Sequence, residues 1–114
     1  MTKITFFEKD GLIEGFETKG HAGFAEYGND IVCASISILV LNTINSITEL
    51  NGEDVIIETD ESSGKIYFYL KSRKEESTEK LLRAMELGLK GIREEYGRKY
   101  LELKTKEVND NVKA

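Results

Sequence analysis

The chain carries one histidine and one cysteine, His21 and Cys33, twelve positions apart. An imidazole can take the proton of a thiol and the thiolate can then attack a carbonyl, so the pair is the minimum equipment of a thiol hydrolase. Between them, residues 20–30 read GHAGFAEYGND, in which glycines and polar residues interrupt any regular pattern and predict a mobile loop. Asp30 then fits the N-cap of a helix, which puts Cys33 in its first turn. Unpaired backbone N–H groups there carry partial positive charge, favour a thiolate and could hold an oxyanion. Glycines in the loop would let His21 swing toward Cys33 and let a peptide backbone come close. Asp30 opposes the thiolate by its charge, unless it orients His21 as a third member of the site.

Plainer readings of the same residues stay open at this level. A free cysteine near a helix start is commonly a small buried hydrophobe, and a single loop histidine is commonly a surface residue. Gly20, Gly23 and Gly28 could be turn residues, Phe24 and Tyr27 could anchor the loop on the core, and Ser35 and Ser37 could face solvent or bond the preceding turn. A zinc site would require Cys33 and His21 together with carboxylates such as Glu26 and Asp30. Neither a metal nor an organic cofactor is expected.

The elements that must position the pair follow from hydrophobic periodicity. Residues Thr2 to Glu8 and Leu12 to Lys19 are rich in β-branched and aromatic types and flank Asp10-Gly11, a hairpin turn signal. From Ile31 to Leu50, Ile36, Leu39, Val40, Ile44, Ile47 and Leu50 recur at helical intervals, with Asn51-Gly52 as the stop. Val55 to Asp60 and Lys65 to Lys71 make a second hairpin around Glu61-Ser62-Ser63-Gly64, with Ile66, Phe68 and Leu70 on one face. Leu81, Met85, Leu89, Ile92 and Tyr96 define a second helix, capped by Ser77 or a neighbour and ended by Gly97. Tyr100 to Lys106 alternates as a last strand, followed by a flexible tail from about residue 107. The order ββαββαβ predicts an α+β two-layer sandwich: one mixed sheet with both helices packed on one face.

Length and charge narrow the function. A chain of 114 residues with 39% hydrophobic content suits a single domain spanning 1–114 with one core. Acids outnumber bases by 21 to 16, a net charge of −5, which argues against a direct nucleic-acid binder and is compatible with a basic protein partner. No stretch reads as a secretion signal or reaches transmembrane length, and the lone cysteine cannot form an internal disulfide. A cytoplasmic protein with no membrane contact is expected.

The strings Gly20-His21-Ala22-Gly23 and Gly28-Asn29-Asp30-Ile31-Val32-Cys33-Ala34-Ser35-Ile36-Ser37 are more specific than the spacing. They resemble the ribosomal-processing cysteine protease family, Prp, whose pattern is G-H-A, a short variable loop, then G-x-D-x-V-C-A, a small residue and a serine. Every fixed position matches, and the resemblance covers the whole chain. It implies Cys33 as nucleophile and His21 as general base, with Asp30 assisting and Ser37 a further site residue. It also implies a substrate, the N-terminal extension of large-subunit ribosomal protein twenty-seven, cut after Phe-Phe, and a role in ribosome assembly. A homodimer is implied too, with the loop between histidine and cysteine flexible until substrate orders it. A Phe-Phe preference calls for an apolar cleft, for which Gly23, Phe24, Tyr27, Gly28 and Ile31 are the loop candidates. The alternative is a non-catalytic, ribosome-associated peptide-binding module built on the same loop.

Overall fold

A computed structural model describes residues 1–26 and 29–109. Two antiparallel strands, β1 (Thr2–Lys9) and β2 (Leu12–Lys19), are joined through Asp10 and Gly11, which both take positive φ as a tight hairpin turn requires. A helix, α1 (Ile31–Asn45), continues through a π-helical turn at Ser46–Leu50 and stops at Asn51-Gly52. The second hairpin is β3 (Val55–Asp60) and β4 (Lys65–Leu70), followed by helix α2 (Ser77–Tyr96) and strand β5 (Leu101–Glu107). The strands form one mixed sheet in the order β3-β4-β2-β1-β5, antiparallel except where β5 joins β1 in parallel. The fold is the α+β sandwich expected from the element order.

Alternation along the strands separates the two faces of the sheet. Ile4 and Phe6 of β1, Phe16 of β2 and Phe68 of β4 share one core with Val32, Ile36, Val40 and Ile44 of α1 and Leu82, Met85 and Leu89 of α2. Phe7 and Tyr69 point the other way and pack with Val108. Both helices therefore cover the same face.

Three sequence expectations are refined or corrected. The start of the expected tail belongs to the body: β5 runs to Glu107, the Val108 N–H donates to Glu8 O, and Val108 is buried against Phe7 and Tyr69, while residues 110–114 of that tail lie outside the described residues. The N-cap of α2 is Glu76, the neighbour of Ser77, and it makes no side-chain capping bond. The carboxylate of Glu53, far back in the chain, accepts the N–H groups of Lys74 and Glu75 and the Thr78 hydroxyl. Finally, one segment does reach membrane-spanning length: residues 31–50 form a continuous helix with a mean hydropathy of 1.8. No charged residue occurs from Ile31 to Thr48, and Ser, Thr and Asn alone supply its polarity. Its inward face is a core face, filled by Val32, Ile36, Val40, Ile44 and Ile47. Its outward face leaves Ile38 70% and Leu50 80% exposed.

Candidate active site

The first turn of α1 and the loop before it are held together by one side chain. Asp30 sits in extended backbone geometry at the N-cap, and its Oδ1 accepts the Cys33 N–H at 2.8 Å. Its Oδ2 accepts the Phe24 N–H at 2.9 Å and, more weakly, that of Ala25 at 3.5 Å. Burial alone would push this carboxyl up. The backbone N–H donors of Cys33, Phe24, Ala25 and Val32 outweigh it and hold Asp30 below the ordinary aspartate value. Asp30 is thus a charged clasp, 7% exposed, between the loop and the nucleophile's helix.

This clasp revises the oxyanion expectation. The Cys33 N–H is already donated to Asp30 Oδ1, and the Ala34 N–H to Asp30 O at 3.0 Å. Those first-turn amides are spoken for. Ser37, one turn further along α1, has a hydroxyl with no hydrogen-bond partner among the described residues, and it shares the walls of the site with Cys33.

Two cavities meet at the cysteine. The larger, about 420 Å³, lies between α1 and the β3–β4 hairpin. Ile36, Val40, Leu41 and Ile66 give it an apolar wall, while Asp60 and Glu61 stand at the hairpin tip. The smaller, about 340 Å³, runs under the loop past Gly23, Ala25, Asp30 and Ala34. His21, Cys33 and Ser37 line both. Cys33 is half-buried and free, as a nucleophile reached from an open cleft must be.

Of the residues singled out from sequence, the structure brings together His21, Cys33, Asp30, Ser37 and Gly23. It does not bring in Phe24, whose ring makes edge contacts with Tyr96 and Tyr100 at centroid distances of 5.7 and 5.1 Å and so anchors the loop on the body. Ile31 points to solvent, 53% exposed, and lines neither cavity. Tyr27 and Gly28 lie outside the described residues. No three His, Cys, Asp or Glu side chains converge as a metal site among the described residues. The apolar wall that sequence reading missed had a signal. Ile36, Ser37, Val40 and Leu41 follow Cys33 by three, four, seven and eight positions, the spacing of one helix face.

A half-buried thiol at a helix start, an imidazole in the same cleft and two cavities meeting there, one of them with an apolar wall, are the parts that a thiol hydrolase needs. The model of the family described as cysteine protease Prp matches residues 1–101, and this chain belongs to that family. A ribosomal processing cysteine protease Prp of Bacillus subtilis (strain 168) is 34% identical over 91 residues, 76% of this chain and 81% of the relative. The fold is also that of the essential ribosomal processing protease Prp of S. aureus. Its structure with a covalently linked product peptide superposes with a TM-score of 0.86 at 29% identity, over 93% of this chain and 100% of that one. Its structure with a substrate peptide gives a TM-score of 0.81 at 28% identity over the same shares.

Proposed function

We propose that this protein is an endopeptidase of ribosome assembly that removes the N-terminal extension of large-subunit ribosomal protein twenty-seven, cutting after Phe-Phe. The observation that carries the reading is the meeting of two cavities at Cys33, His21 and Ser37. An endopeptidase must hold chain on both sides of the scissile bond, and an apolar cavity walled by Ile36, Val40, Leu41 and Ile66 suits phenylalanine side chains. A related protease holds a covalently linked product peptide, and Cys33 is the one cysteine with which this chain could form such a bond.

His21 takes the Cys33 proton, and the thiolate attacks the carbonyl carbon of the phenylalanine before the cut. The Ser37 hydroxyl donates to the oxyanion, in place of the first-turn amides already bound to Asp30. Protonated His21 gives its proton to the departing amine. Water, deprotonated by the same imidazole, then hydrolyses the thioester and frees Cys33. No metal or organic cofactor enters this scheme.

The acidic surplus supports attraction of a basic ribosomal protein body. The apolar residues left exposed by α1 and the π-helical turn after it, Ile38 and Leu50, support a homodimer through that segment. A cytoplasmic location follows from a substrate made there.

The test is mass spectrometry of the extended ribosomal protein after incubation with the wild type and, in parallel, with Cys33→Ala. A single cut after Phe-Phe by the wild type alone is expected. Intact substrate in both tubes, with folded protein present, would favour the peptide-binding module instead.

A further inference from the structure

We propose that the β3–β4 turn positions the catalytic imidazole, with Gly64 as the residue that sets where His21 stands; this rests on His21 acting as the base. The turn does not merely join two strands. The Gly20 N–H donates to Ser63 O at 2.8 Å, tying the residue before His21 to the turn. The Thr18 hydroxyl, in a buried residue at the end of β2, donates to Gly64 O at 3.0 Å and accepts the Ile66 N–H at 3.1 Å. Gly64 itself takes φ +68°, and a Cβ placed there would overlap the Gly20 carbonyl oxygen and stand 3.2 Å from His21 Cε1. The missing side chain is therefore the space into which the Gly20 carbonyl fits and over which the imidazole lies.

This arrangement explains why a loop rich in glycine can present its histidine in one place. Strand β2 hands the chain directly to His21, and the turn grips that handover at Thr18, Gly20 and Gly64. Asp30 grips the far side of the same loop at Phe24. Base and nucleophile are thus held by separate supports, one on the sheet and one on the helix. A displacement of about 1 Å at either support can cost about 100-fold in rate.

Gly11 provides the control. It has φ +80° in the β1–β2 turn and nothing within 4 Å of an added Cβ, so Gly11→Ala and Gly64→Ala share the backbone strain but not the contact with His21. Because His21 is the one histidine and Cys33 the one cysteine, the imidazole Hε1 proton gives a single NMR signal and iodoacetamide labels a single site. Gly64→Ala is expected to lower kcat about 10- to 100-fold with little change in KM, to shift the Hε1 signal, and to alter the pH profile of Cys33 alkylation. Gly11→Ala is expected to do none of these. If Gly64→Ala does not fold, Thr18→Val replaces it, with Thr18→Ser restoring the wild-type signal because it keeps the hydroxyl. A folded Gly64→Ala or Thr18→Val with wild-type kcat and Hε1 signal overturns the positioning role. His21→Gln separates the two levels. If it retains activity the base assignment falls, and this inference with it; if it is inactive while Gly64→Ala behaves as wild type, only the positioning role falls.

Discussion

The two helices begin under nearly the same arrangement and end up with different duties. Each has a buried carboxylate over its first turn, Asp30 at 7% exposure and Glu53 at 5%. Asp30 gathers the N–H groups of Cys33, Phe24 and Ala25; Glu53 gathers those of Lys74 and Glu75 with the Thr78 hydroxyl. In both cases burial raises the carboxyl and the donors outweigh it, leaving the group below its ordinary value; Arg73 adds attraction at Glu53. The electrostatics are alike, and the difference lies in what the donors are attached to. At α2 the clasp joins a connection to a helix, whereas at α1 it joins the loop after the candidate base to the backbone of the candidate nucleophile. The same device joins two structural segments in one place and borders the candidate site in the other.

The largest effect that could break this comparison comes from the group with no counterpart at α2. Ser37→Ala leaves the Asp30 clasp untouched and is expected to lower kcat about 10²- to 10³-fold, as loss of an oxyanion donor does, without moving the thermal unfolding midpoint. Wild-type kcat in that variant would return the oxyanion to backbone donors. Next comes the direct contrast. Asp30→Ala is expected to reduce kcat/KM about 100-fold and Glu53→Ala to leave it within about twofold, both assayed where circular dichroism reports a folded protein. Equal losses would mean that Asp30 acts only through stability.

Stability itself should treat the two alike. Each alanine variant removes the acceptor of several part-buried donors and is expected to lose about 1–3 kcal/mol in urea unfolding. The smallest effect is on pH. Both carboxyls titrate lower folded than unfolded, so their stabilisation is present above the ordinary carboxylate range and is lost as pH falls through that range toward the folded values. Urea midpoints should drop below about pH 4.5, and the double variant Asp30→Asn, Glu53→Gln should show a shallower slope. Asp54 and Asp60, lowered in the same direction by Lys74 and by Ser62, keep that slope from vanishing.

The contrast also marks where sequence reading stops. The helix half of the α1 clasp was legible because Asp30 lies three positions before Cys33, within the reach of capping rules; its hold on Phe24 and Ala25 was not. Its α2 counterpart was not, since Glu53 is separated from Ser77 by an entire hairpin and only the fold brings it there. The hairpins and both helices followed from turn residues and period, and the motif pointed to His21 and Cys33, which line the same cleft. Thr18 at the end of β2, Gly64 in the β3–β4 turn and the cavity residues Asp60 and Glu61 come beside His21 and Cys33 through strand pairing, which local pattern does not specify. Phe24 looked like cleft lining because an aromatic in a loop beside a nucleophile invites that reading. It is claimed instead by Tyr96 and Tyr100, whose approach depends on α2 meeting β5.

The parallel pairing of β5 with β1 bears on how the molecule is made. Thr2 lies opposite Leu101 and Glu8 opposite Glu107, so strands at opposite ends of the described chain are neighbours. During synthesis the outer edge of β1, with Ile4, Phe6 and Phe7, stays open until the final strand has left the ribosome. An open apolar edge invites pairing with other chains, and closing so long a loop is slow. Until β5 docks, the edge of β1 is therefore the place where an unfinished copy is most open to wrong pairing.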